Sequence, residues 1–67
     1  MEDNWQKVYS SSFEHKVEIV SAVLEDHEIS SVVINKKDSA YLFGELELYV
    51  QAENVLRAKQ IINKESL

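Results

Sequence analysis

The sequence predicts an α+β fold, a three-stranded antiparallel sheet in the order 1-3-2 with two helices on one face. Three observations predict it. Leu46, Leu48 and Val50 alternate strictly with Glu45, Glu47 and Tyr49, the pattern of a strand with one side turned to a core. Phe13, Val17, Val20 and Leu24 recur at spacings of four, three and four, which sets them on one helical stripe. Between these segments stands the β-branched run Val32-Val33-Ile34, near enough in the chain to pair with the Leu46 strand as a hairpin.

A first strand is expected over residues 5–10, with Val8 on one face and Trp5, Lys7 and Tyr9 on the other. Ser10-Ser11-Ser12 then offers capping hydroxyls. Ser11 and Glu14 have the spacing of a capping box, in which each side chain reaches the other residue's free backbone N–H, so a helix is expected over residues 12–27. Ile19 and Val23 widen its apolar stripe on the side where a second helix can pack. At its end Glu25, Asp26 and Glu28 crowd negative charge against the negative pole of the helix dipole. His27 among them is expected to protonate readily, although a plain surface histidine at a frayed helix end accounts for it more simply.

The second strand is expected over residues 29–35, a turn over 35–39 and the third strand over 41–50. Gly44 inside the third strand is a candidate bulge, which would change the facing of Tyr41, Leu42 and Phe43. Val55, Ala58, Ile61 and Ile62 define a second helix over residues 52–64, with Glu53 and Arg57 as an i, i+4 pair on its exposed side. A strand that crosses over through a helix and then returns by a hairpin places the third strand between the first two. Residues 1–67 thus form one ferredoxin-like split βαββα unit without a last strand, leaving the first strand an open edge.

At 67 residues the chain is near the lower limit at which one core outweighs conformational entropy. Disulfides, a structural metal or self-association are the usual aids. With no cysteine and two histidines, the first is impossible and the second is disfavoured, which makes a homo-oligomer the expected remedy. Residues 1–12 lack the basic and apolar regions of a signal peptide, and no run reaches the length of a membrane span, so a cytoplasmic address is expected. A formal net charge of -5 argues against nucleic acid and anionic membranes as partners.

The run Gly44-x-Leu46-x-Leu48-x-Val50, followed by Glu53-Asn54 and Ala58 ahead of Ile61-Ile62, resembles a family of small prokaryotic domains. Its members are described as putative signal-transducing proteins and likened to the nitrogen-regulatory PII proteins. Val8-Tyr9, the helix ending at Leu24 and Ile29 opening a strand agree with it. The resemblance implies the ferredoxin-like fold and a role in signalling, without a defined activity. Family members often carry Gly before the second strand's Ile and Pro at the second helix's start. This chain has Glu28 and Gln51 there.

Catalytic and cofactor chemistry finds little footing. His15 and His27 lie about 18 Å apart along one helix at about 1.5 Å per residue, too far to share a metal. The serines before His15 serve a helix start better than a nucleophile, and the single arginine, Arg57, stands on the second helix rather than in a phosphate-holding loop. Lys36 and Lys37 in a short turn without a glycine-rich loop read as solubilising residues. The expectation is a non-enzymatic regulatory or protein-interaction module without cofactor or metal. The alternative is a small-ligand sensor for a metabolite or nucleotide, resembling the PII proteins.

The aromatic residues suggest where a partner sits. Trp5, Lys7, Tyr9 and Tyr49, with help from Val33 and Phe43, are expected on the sheet face away from the helices, buried against another protein chain and most simply a second copy. RNA stacking on that face is disfavoured by Glu45 and Glu47 and by the missing ribonucleoprotein motif. Lys7 is expected to approach one of the two glutamates.

Overall fold

The computed structural model describes residues 4–36 and 44–67. Along the chain run β1 (Trp5–Ser11), α1 (Glu14–Asp26), β2 (Ser31–Asn35) and β3 (Leu46–Gln51), then a 3-10 turn (Ala52–Asn54) and α2 (Val55–Lys64). The sheet order is β1-β3-β2 and both pairings are antiparallel, as the crossover and hairpin argument requires. The expected tip of the hairpin and the start of the third strand, residues 37–43, lie outside the described residues. β3 begins at Leu46, beyond Gly44, whose φ of 108° lies in the left-handed region that glycine enters without penalty.

Leu46, Leu48 and Val50 turn inward from β3 and meet Val17, Val20 and Leu24 of α1, Ile29, and Ala58 of α2 in one core. No polar or charged residue among those described is buried in it. α2 adds Val55, Ile61 and Ile62 only in part, so its sole fully covered side chain is the small one, Ala58.

Both helices end in the same way. Glu28 has φ 64° and Ser66 has φ 60°. Around the first, Glu28 N donates to the Glu25 carbonyl and Ile29 N to the Leu24 carbonyl; around the second, Ser66 N donates to Asn63 and Leu67 N to Ile62. Each is a Schellman turn, in which a left-handed residue lets the next one fold back against the last helical turn. Leu24 with Ile29, and Ile62 with Leu67, are the apolar pairs that accompany such turns. Ile29 therefore serves as the hydrophobic plug of this cap rather than opening β2, which starts two residues later than expected. Glu28 occupies a position that favours glycine.

The expected capping box does not form. β1 runs on to Ser11, so α1 begins at Glu14 with Phe13 at its N-cap, and Ser11 Oγ accepts the Phe13 N–H at 3.0 Å. Phe13 consequently lies ahead of the buried stripe and is 57% exposed, its ring 6.1 Å from that of His15 and 5.6 Å from Lys16 Nζ. Ile19 stays exposed beside a groove bordered by Tyr9, Ser66 and Leu67, while Val23 is half-buried. Arg57 donates to the His27 carbonyl at 3.2 Å. The 3-10 turn takes Glu53 off the α-helical spacing that the expected Glu53–Arg57 pair needs.

Candidate functional site

The strand register determines what shares the uncovered face of the sheet, because residues directly opposite one another in an antiparallel pair point to the same side. Trp5 stands opposite Gln51 and Lys7 opposite Tyr49 on the β1 side. Val32 stands opposite Tyr49 and Ile34 opposite Glu47 on the β2 side. Trp5, Val32, Ile34, Lys36 and Tyr49 together line a shallow hollow of about 440 Å³. Its floor is aromatic and aliphatic, and among the described residues of its lining Lys36 is the one charged side chain.

Beside the hollow is a polar set that satisfies itself. Tyr49 donates its hydroxyl to Glu47 Oε1 at 2.8 Å, and Lys7 Nζ lies 3.5 Å from Glu47 Oε2. The expected approach of Lys7 to one of the glutamates is thus made to Glu47, across the β1–β3 pair. Glu47 and Tyr49 are two apart on one strand and therefore neighbours on one face. The Tyr49 hydroxyl holds the Glu47 carboxyl below the usual carboxylate range; partial desolvation opposes this, and the charges of Lys7 and Lys36 assist it. The same hydrogen bond raises the Tyr49 phenol, because losing that proton would set two anions side by side.

The chain belongs to the family described as putative prokaryotic signal transducing proteins, whose profile matches residues 5–66. No curated protein and no solved structure matches it. For this signal-transducing family member the name gives a broad role and no residue assignments, so the face must be read from its own geometry.

Two residues expected on the open face lie on the other side. The register of β1 slips between Lys7 and Tyr9, so that Tyr9 faces Leu48 and Val8 is the extra residue of a bulge. The bulge brings Val8 and Tyr9 together against the core, where strict alternation would have sent Tyr9 outward. Val33 stands opposite Leu48 and so belongs to the helix side, at its rim and 41% exposed. Ser31 fixes that facing, since its hydroxyl is 2.9 Å from that of Ser21 on α1. Phe43 lies outside the described residues. Trp5, Lys7 and Tyr49 do share the open face.

Val32, Ile34 and the hollow-lining role of Lys36 escaped sequence reasoning. Three consecutive β-branched residues carry no alternation, and only the register, which hangs on the hairpin loop, assigns them a side. His27 Nδ1 donates to the Val23 carbonyl at 2.9 Å, which ties its ring to the helix end. Among the described residues, no three His, Cys, Asp or Glu side chains gather as a metal site would require, and no helix is long and apolar enough to cross a membrane.

Proposed function

We propose that this protein is a non-enzymatic regulatory module of the cytoplasm that works in signal transduction by presenting the open face of its sheet to a partner protein. The observation that carries the reading is the hollow formed by Trp5, Val32, Ile34 and Tyr49 with Lys36 at its edge. Aromatic residues offer large apolar area at low side-chain entropy, and together with aliphatic neighbours they form the kind of patch that interfaces use. The fitting partner presents an apolar side chain to the hollow and a carboxylate to Lys36. Lys7, Glu47 and Tyr49 already satisfy one another, so docking beside them leaves neither Lys7 nor Glu47 unpaired.

A second reading has its own support: the hollow's volume falls within the range of small-ligand sites, roughly 300–1,000 Å³. Its apolar floor and the one lysine among its described lining residues suit an apolar carboxylic acid better than a nucleotide, whose phosphates need several donors. A sensor of this kind keeps the comparison with PII-like proteins in play as the alternative.

Trp5 is the only tryptophan, so its fluorescence reports on this face alone. A partner recovered with the wild-type chain from its native cell, and then purified, should shield Trp5 from iodide. Tyr49→Glu should lose that binding while keeping the wild-type far-ultraviolet spectrum. A recovered partner that binds Tyr49→Glu equally well overturns the reading. Stabilisation by small carboxylic acids in a thermal-shift screen, without any protein partner, turns it toward the sensor.

A further inference from the structure

The two outer strands of the sheet are not equally protected. Lys36 N donates to the Glu45 carbonyl at 3.0 Å across the hairpin. Hydrogen-bonded positions alternate along an antiparallel pair, so Ile34 and Val32 also bond to β3, while the N–H and C=O of Val33 point outward at the edge with which no other described strand pairs. On the opposite side, the β1 edge is interrupted by the bulge at Val8 and carries Lys7 next to it. A bulge and an edge lysine are two of the devices that keep sheet edges from pairing. β2 has neither. Its sequence Ser-Val-Val-Ile-Asn contains no charge and no proline, its pairing with β3 runs without a register shift, and Val32, Val33 and Ile34 are 40%, 41% and 38% exposed.

We infer that β2 is the self-association edge of this protein, and that a second copy adds its own β2 antiparallel about a two-fold axis at Val33, giving one continuous six-stranded sheet. The strand suits this occupant because it is self-complementary. A two-fold at Val33 sets Val33 against its own copy, Val32 against Ile34 and Ser31 against Asn35, so no charge meets a charge. The two Val33 peptide groups exchange a pair of hydrogen bonds, and their side chains cover each other on the helix side. Stacking two open faces is the poorer arrangement. Each described face carries Glu45 and Glu47 as well as Lys7 and Lys36, so stacking has to set every charge of one copy against an opposite charge of the other, a demand the uncharged edge does not make.

Edge pairing also does something for the proposed interaction face without depending on it. Residues directly opposite across the new pair share a side, so Val32 of one copy lies beside Ile34 of the other on the open face. The two hollows become adjacent parts of one surface. A five-residue edge buries less than a standard interface of about 1,200–2,000 Å², and the dimer is accordingly weak and reversible.

Sedimentation equilibrium of the full chain from low micromolar to millimolar concentration should show a monomer–dimer equilibrium. Val33→Lys places a charge at the two-fold, and Val33→Pro removes the outward N–H while sparing the bonds to β3; each should abolish the dimer across the range. Val33→Lys should keep the wild-type melting temperature at low concentration, so it decides the matter even if the proline variant folds poorly. The Val33 amide should exchange with solvent more slowly as the wild-type concentration rises. Tyr49→Glu should dimerise like wild type, which separates this edge from the partner-binding face. A wild-type chain that stays monomeric throughout, or a dimer that survives Val33→Lys, overturns the inference. So does a dimer lost in Tyr49→Glu but kept in Val33→Lys.

Discussion

Leu48 and Tyr49 are neighbours on the central strand and belong to opposite worlds. Leu48 has no exposed surface and belongs to the core to which both helices contribute. Tyr49 is half-buried, lines an open hollow and hands its hydroxyl to Glu47. The helix face is wholly apolar at its centre; the open face combines apolar surface with polar groups that already have partners. This difference teaches where each property resides. Burial without polar groups is what makes a small domain fold, whereas a face that tolerates water and still offers aromatic area suits a partner that comes and goes.

The sharpest way to break the comparison is to truncate one side chain on each face. Leu48→Ala removes a fully buried side chain from the middle of the core and should destabilise the chain by about 2–5 kcal/mol, measured by urea unfolding. A domain this small has little stability to lose, and the variant is expected to be largely unfolded at physiological temperature. Tyr49→Ala should unfold at a clearly higher urea concentration than Leu48→Ala. Equal losses would mean that the open face is part of the folding core, and the division drawn between the faces would fall.

Next in size is a change that strengthens the buried face and leaves the open one alone. Glu28 holds φ 64° at the end of α1, where a side chain costs energy, and it places a carboxylate against the helix C-terminus. Glu28→Gly should relieve both and stabilise the protein by about 1 kcal/mol, after allowing for glycine's greater freedom in the unfolded chain. Partner binding at the open face should not change. A destabilised Glu28→Gly variant would show that Glu28 makes a compensating contact in solution.

How far these features were legible follows from what each depends on. The alternation of Leu46, Leu48 and Val50 and the stripe of Val17, Val20 and Leu24 are local patterns, so the core, the sheet order and the two helices could be read directly. The glycine preference at Glu28 was visible only as a departure from a family pattern. The facing of Tyr9 was not legible, because it depends on one extra residue in the β1–β3 pairing, and a bulge at Val8 leaves no mark in its own sequence. The positions of Val32 and Ile34 were hidden for the related reason that their register is fixed by the partner strand. Trp5, Lys7 and Tyr49 were legible because nothing between them and the core disturbs strict alternation.

A smaller effect tests whether the rim of the hollow contributes to folding at all. Lys36 is exposed and stands just beyond β2. Lys36→Ser should change stability by less than about 0.5 kcal/mol in urea unfolding, while weakening an acidic partner. A larger loss would mean that the lysine is bound to the folded chain rather than kept for a partner.

The smallest expected effect is a shifted titration, and it asks whether the polar half of the open face is preorganised. Glu47 has its folded pKa lowered from an ordinary 4.5, first by the Tyr49 hydroxyl and further by Lys7 and Lys36, with partial desolvation working against them. A carboxylate depressed in this way contributes stability that is present above its unfolded pKa and is lost as pH falls through the folded value. The window therefore lies on the acid side of 4.5. Tyr49→Phe keeps the ring in the hollow and removes only the hydroxyl, so the Glu47 carboxyl carbon, followed by NMR, should titrate at higher pH than in wild type. Lys7→Ala should move it in the same direction, because the lysine's charge and its hydrogen bond both lower the Glu47 carboxyl. If Tyr49→Phe leaves the Glu47 titration where it was, the 2.8 Å bond is not held in solution. The open face would then have to order its own polar groups each time a partner docks, and its contrast with the preassembled helix face would widen.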